Sequence, residues 1–128
     1  MKPATRAQRP VFLDPRHIQL PVGALASIGH RISGIVLAAG VPVVVYLLGL
    51  SLRDEQAYAT LTAMSRQLGF KLAVLVVVWA FAHHTLAGVR HLLSDFDIGS
   101  PLRTARRSAW FVNVGGVALT LLTAAVLL

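Results

Sequence analysis

The chain has 128 residues, 55% of them hydrophobic and only 13% charged, where soluble domains carry about a quarter. So much apolar surface excludes a water-soluble domain and points to one membrane-anchor domain over 1–128. The net charge of +7 needs a separate explanation, and the absence of cysteine excludes a thiolate-ligated iron-sulfur cluster, a disulfide and a covalently attached Cys-x-x-Cys-His haem.

The first element is a basic arm, 1–21, "MKPATRAQRPVFLDPRHIQLP". It has no apolar stretch of the kind a cleavable signal peptide carries, so it is expected to stay on the mature protein. Four prolines argue against one regular helix there and suggest that the chain enters the membrane near Pro21.

Ser27, His30 and Arg31 follow at i, i+3 and i+4, on one helix face at the entrance to the first span. An arginine at such a boundary often only reaches back to lipid headgroups. With a hydroxyl and an imidazole beside it, the same group can bind and protonate the carbonyl oxygens of a quinone. Quinone reduction takes two protons, so a site near water suits it.

The first apolar block, 32–50, carries no charge; the second, 72–89, lies between Lys71 and Arg90; the third covers 108–128. At about 1.5 Å per residue each is roughly 27 to 32 Å long, close to the hydrocarbon thickness of a bilayer. Backbone polar groups in lipid must be satisfied within the segment, which favours helix. Three transmembrane helices are therefore expected, at about 22–51, 70–94 and 106–128, in an all-α integral membrane fold. Gly40 and Pro42 suggest a kink in the first helix, and the connection 51–71 reads as a loop with a short surface helix. In the third block, Asn113 is expected to pair with a neighbouring helix, Trp110 and Phe111 fit an interfacial aromatic belt, and Gly115-Gly116 follows no strand and is no nucleotide motif.

The second block holds the densest chemistry. On a helix His84, Gly88, His91 and Asp95 stack along one face at i, i+4, i+7 and i+11, while His83 is turned about 100° away. An ionisable residue inside a span is costly and by default a functional candidate. The alternative is a neutral histidine hydrogen-bonded across a helix interface. Gly88 would let a flat macrocycle approach the backbone, and Arg90 with His91 lies near the interface where acidic propionates could reach, so a haem on a neutral His84 imidazole fits. Only one well-placed ligand is present, so a second helix-bearing partner is required. Two imidazoles would leave no open coordination position, which suits electron transfer rather than oxygen chemistry.

Charge sets the expected orientation. Nine of the twelve Lys and Arg (Lys2, Arg6, Arg9, Arg16, Arg31, Arg90, Arg103, Arg106, Arg107) fall on one side of the spans, and Arg53, Arg66 and Lys71 on the other. The N-terminus is therefore expected in the cytoplasm and the C-terminus in the periplasm of a bacterial-type inner membrane. Topology and anionic headgroups account for the positive charge, and no nucleic-acid partner is expected.

"QRPVFLDP", "LPVGALASIGHRISG" and "HTLAGVRHLLSDF" together resemble the cytochrome b subunit of succinate dehydrogenase, the larger of the two small membrane anchors of respiratory complex II. The resemblance covers nearly the whole chain and rests on Ser-x-x-His-Arg-x-x-Gly at 27–34 and His-x-x-x-Gly-x-Arg-His at 84–91. It implies that His84 is an axial ligand of a haem b whose iron takes its other ligand from the companion anchor subunit. It implies that Ser27 and Arg31 help form the ubiquinone pocket, shared with that anchor and the iron-sulfur subunit, and that His30 and Arg31 lie near the haem propionates. His91 and Asp95 match the end of the motif and are candidates to support those contacts. His83 stands where relatives often have an aromatic residue, which raises the question of which imidazole ligates; helix phase and the spacing to Gly88 favour His84. Nothing in the chain suggests a flavin site, so succinate oxidation is expected in a flavoprotein subunit. Two alternatives stay open: the equivalent subunit of a quinol:fumarate reductase, and a haem-free structural anchor.

Overall fold

The computed structural model describes residues 20–128, and most of the basic arm expected at 1–21 lies outside them. Pro21 is extended, at φ −63° and ψ 150°, and the first helix starts directly after it. This helix, α1, Val22–Ser51, passes Gly40 and Pro42 without a break. Pro42 cannot donate to the Ala38 carbonyl. At 30 residues α1 is about 45 Å long, so it extends beyond the hydrocarbon core at one end or both.

A short helix, α2, Glu55–Ser65, follows a tight connection. Asp54 caps it, accepting a hydrogen bond from the Ala57 N–H at 2.7 Å, and Glu55 places negative charge in the first turn. None of its residues is buried. This is the surface helix anticipated between the first two spans.

The remaining helices are α3, Leu68–Asp95, and α4, Leu102–Leu127. Both begin earlier than the apolar blocks they contain, so Arg103, Arg106 and Arg107 lie in the first turns of α4 rather than in a loop. Between them, Asp97 takes a left-handed conformation, φ 58°, with its N–H donating to the Ser94 carbonyl at 3.0 Å, and the Ile98 N–H donates to the Leu93 carbonyl at 2.9 Å. This pair of bonds closes α3 by the Schellman pattern, with aspartate in the position glycine usually takes. Gly99, φ 86°, and Pro101 complete the reversal that sends α4 back along α3.

The result is all-α: α1, α3 and α4 are each long and apolar enough to cross a membrane, and α3 packs against both others. Their shared core is made of small residues, Ala26, Ala80, Ala87, Ala109 and Gly116, with Val112 the largest apolar side chain fully enclosed. Large apolar side chains point outward instead; Ile35, Phe111 and Val126 are 71%, 67% and 90% exposed. In water this distribution would be unstable. In lipid, outward Leu, Val and Phe cost nothing, and small residues let backbones approach closely enough for dispersion to hold them.

Candidate functional site

The polar side chains inside the bundle are concentrated where α3 meets its two neighbours. α3 presents His83 and His84 in succession, and the 100° step between them sends the two rings to different places.

His84 faces α1. Its ring stacks on that of His30, with centroids 4.2 Å apart and planes inclined by 21°. Its Nδ1 lies 3.2 Å from the His30 carbonyl oxygen and 3.2 Å from Ser33 Oγ. The Ser33 hydroxyl itself donates to the His30 carbonyl at 2.9 Å. A carbonyl oxygen only accepts, so the hydrogen of His84 sits on Nδ1, and the lone pair is left on Nε2. Histidines that bind metals commonly have this arrangement, with one nitrogen held by a backbone carbonyl and the other free to ligate. Ser33 is fully buried beneath the ring.

Glycines make room around this pair. A Cβ on Gly34 would come within 3.1 Å of His84 Cε1, whereas one on Gly88 would meet only His30 Nε2, at 3.8 Å. The backbone at Gly88, one turn from His84, thus has only the His30 ring within contact distance. His91 lies one turn further along, its ring centroid 5.2 Å from that of His30.

His83 goes the other way, into the core. It is 3% exposed, and its Nε2–H donates to Asn113 Oδ1 on α4 at 3.1 Å. The ring edge presses on α1 at Gly29, where an added Cβ would lie 2.6 Å from Cε1, and its Cβ presses on α4 at Gly116, where the corresponding distance is 3.2 Å. Trp79 tilts against it with centroids 5.4 Å apart. Nδ1 of His83 is buried without a hydrogen-bond partner, a deficit that costs about 1–3 kcal/mol. Enclosed on all sides, His83 has no space for a macrocycle.

Of the residues picked out in the sequence, the structure brings His30, His84 and His91 together with Gly88. Ser27, half-buried, and Arg31, exposed, lie on α1 beside His30, and no side-chain hydrogen bond joins either to another described residue. Asp95, the last residue of α3, is exposed. Arg90 is turned away from His84: its Nε donates to Ser108 Oγ at 3.1 Å and its Nη2 approaches the Ala105 carbonyl at 3.5 Å, both on α4. There it lines a groove with Leu93, Ser94 and Phe111, on the far side of α3 from the His84 face. The grouping of Arg90 with His91 therefore does not hold. Asn113 does pair with a neighbouring helix, and its partner is His83.

Ser33 and Gly29 were not singled out from the sequence, and Gly34 and Gly116 were noted there only as the end of a motif and as part of a glycine pair. Ser33 carried a usable signal, since it stands three residues after His30 and directly before Gly34 in an otherwise apolar run. Among the described residues no group of three or more His, Asp or Glu side chains could hold a bare metal ion. An ion carried in a macrocycle needs only one protein ligand on each face, and His84 offers one. The donor chemistry at His84 therefore fits a haem.

Residues 5–123 match the family described as succinate dehydrogenase/fumarate reductase transmembrane subunit. The chain is 38% identical over 109 residues to the succinate dehydrogenase cytochrome b556 subunit of Coxiella burnetii, covering 84% of this chain and 87% of that one. It is 32% identical over 124 residues to the subunit of the same name from Paracoccus denitrificans, covering 96% and 95% of the two chains. The Rickettsia conorii subunit is 31% identical over 101 residues, with 79% and 78% covered. Matched along nearly its whole length, and built from three membrane-length helices with a histidine pair between the first and second, the chain belongs to the family of succinate dehydrogenase/fumarate reductase transmembrane subunits.

Proposed function

We propose that this chain is the haem-carrying anchor of a succinate:ubiquinone oxidoreductase, that His84 is an axial ligand of its haem b, and that Ser27 and Arg31 form part of its ubiquinone site. The observation that carries the reading is the state of His84: its Nδ1–H is held by the His30 carbonyl and Ser33, and its Nε2 is left for iron, with the side-chain-free Gly88 one turn away on the same face. The names of the relatives, each a cytochrome b556 subunit, support the same assignment.

A b-type haem, when bound, supplies a one-electron store beside the quinone site. The chain's own residues orient and position. Ser33 and the His30 carbonyl fix the tautomer and the plane of His84. His30 and Arg31 supply donors for propionates, with His91 and Asp95 behind them at the same end of α3. Arg31, exposed on α1, offers its guanidinium to a quinone carbonyl, and the Ser27 hydroxyl lies one turn away. A pocket edged by an exposed arginine needs further walls, which fits a site completed by a companion anchor and an iron-sulfur subunit. Electrons from succinate would reach it through the flavin of a flavoprotein subunit and the clusters of the iron-sulfur subunit.

When haem is bound, the companion anchor would supply its other protein ligand. His30 is not a candidate, because its ring lies face to face with His84 and leaves no space for a macrocycle between the two. Orientation follows the charge asymmetry, with the Ser27 and Arg31 end of α1 at the cytoplasmic face of the inner membrane.

A reduced-minus-oxidised absorbance spectrum of the purified membrane complex tests the haem. A b-type α-band is expected, and its absence would leave a haem-free structural anchor. Rates of succinate oxidation with ubiquinone and with menaquinone, and of fumarate reduction with the corresponding quinols, test the direction.

A further inference from the structure

We infer that His83 is a positioning residue for His84: bonded to Asn113 and wedged between Gly29 and Gly116, it locks the rotation of α3 so that the neighbouring imidazole meets iron in the right orientation. The inference rests on the proposed haem at His84 and extends it to a residue that touches no cofactor.

The reasoning starts from what a buried imidazole does in this core. α1, α3 and α4 are apolar on nearly every side, and small residues line their contacts, so dispersion alone leaves α3 free to turn between similar packings. A polar pair inside such an interface removes that freedom. The His83 Nε2–H needs an acceptor, and Asn113 Oδ1 on α4 is 3.1 Å away. In hydrocarbon no water replaces a lost partner.

The steric fit adds a second constraint. The ring fills the space left by Gly29 so closely that a methyl group there would overlap it, and its Cβ and Cα face Gly116 across the α3–α4 contact at distances that barely admit one. One side chain thus touches both neighbouring helices. A side-chain tip lies about 5–6 Å from the helix axis, so a turn of 10° moves it by about 1 Å. Because His83 and His84 are consecutive, any turn that strains the first displaces the second by the same angle. A shift of that size is enough to spoil a preorganised site.

His83 also keeps an unpartnered buried Nδ1. A phenylalanine would fill nearly the same volume without that deficit. What phenylalanine lacks is the donor to Asn113, so the bond is the feature that distinguishes histidine here.

The test is a double-mutant cycle in the assembled complex: wild type, His83→Phe, Asn113→Leu and the double variant, each read by the haem α-band, the midpoint potential, the electron paramagnetic resonance anisotropy of the oxidised haem and the Tm. The anisotropy reports the plane of the ligating imidazole, which a general loss of stability would not move. The expected result is that both single variants keep haem but change band, potential and anisotropy in the same direction, that the double variant adds little, and that His83→Gln, which restores a donor, recovers the wild-type signature. If His83→Phe does not assemble, Asn113→Ala removes the acceptor while leaving the His83 ring in place and gives the same readout. Haem signals unchanged in the variants, even with a coupled fall in Tm, would make the pair merely structural and overturn the inference while leaving the haem at His84 standing. A wild-type complex without haem would instead bring down the reading beneath it.

Discussion

His30 touches His84 twice, once with its ring, stacked at 4.2 Å between centroids, and once with its backbone carbonyl, 3.2 Å from Nδ1. One residue of α1 therefore sets both the plane and the tautomer of the imidazole presented by α3. The carbonyl belongs to a helix backbone and cannot turn away, so Nε2 is held as the free nitrogen.

His84→Leu should remove the b-type α-band from the difference spectrum of the complex, because His84 is the imidazole whose Nδ1 is held by a backbone carbonyl, leaving Nε2 to ligate. His83→Leu should retain a haem signal with an altered band. Loss of haem in the His83 variant alone would reverse the assignment of the ligand.

Ser33→Ala removes one of the two acceptors that hold His84 Nδ1–H. Outer-shell partners of ligating histidines are worth roughly 10- to 100-fold in metal affinity. The remaining carbonyl should keep the effect near the lower end, about tenfold faster loss of haem to an apo-globin acceptor, with the helical circular dichroism unchanged.

Two glycines separate packing within the chain from contact with haem. A methyl group at Gly29 would overlap the buried His83 ring, and overpacking of this kind costs about 1–3 kcal/mol. Gly29→Ala should therefore lower the Tm of the complex whether or not haem is present. At Gly88 a methyl group meets only His30 Nε2, at ordinary contact distance. Gly88→Ala should leave the haem-free subunit as stable as the parent and reduce its haem content, since the added atom intrudes only on a macrocycle lying against that backbone.

Arg31→Ala should slow succinate-dependent ubiquinone reduction by about 10- to 100-fold, the equivalent of losing one charge-assisted hydrogen bond of about 1.5–3 kcal/mol. Ser27→Ala, which removes a neutral donor, should have the smaller effect. Succinate oxidation with a soluble dye as acceptor should be nearly unaffected in both, because that reaction does not use the quinone pocket. Equal losses in the two assays would place these residues in assembly instead.

The sequence by itself determined the three membrane-length helices, because each apolar block matches the thickness of a bilayer and lipid leaves the backbone no alternative to helix. It also determined that His84, Gly88 and His91 share a face and that His83 leaves it, because residues on one helix keep a fixed angular relation. What it could not determine was the direction each face takes. Helices apolar all round have no polar side to mark the outside, so the rotation of α3 is decided by contacts with α1 and α4. Those contacts turned His84 onto His30 and Ser33, drove His83 into the core against Asn113, and sent Arg90 to Ser108. Each of these pairs joins residues at least 18 positions apart. Only tertiary packing brings them within a hydrogen bond of one another, which is why the ligand's angular place was legible in the sequence and the residues that hold it were not.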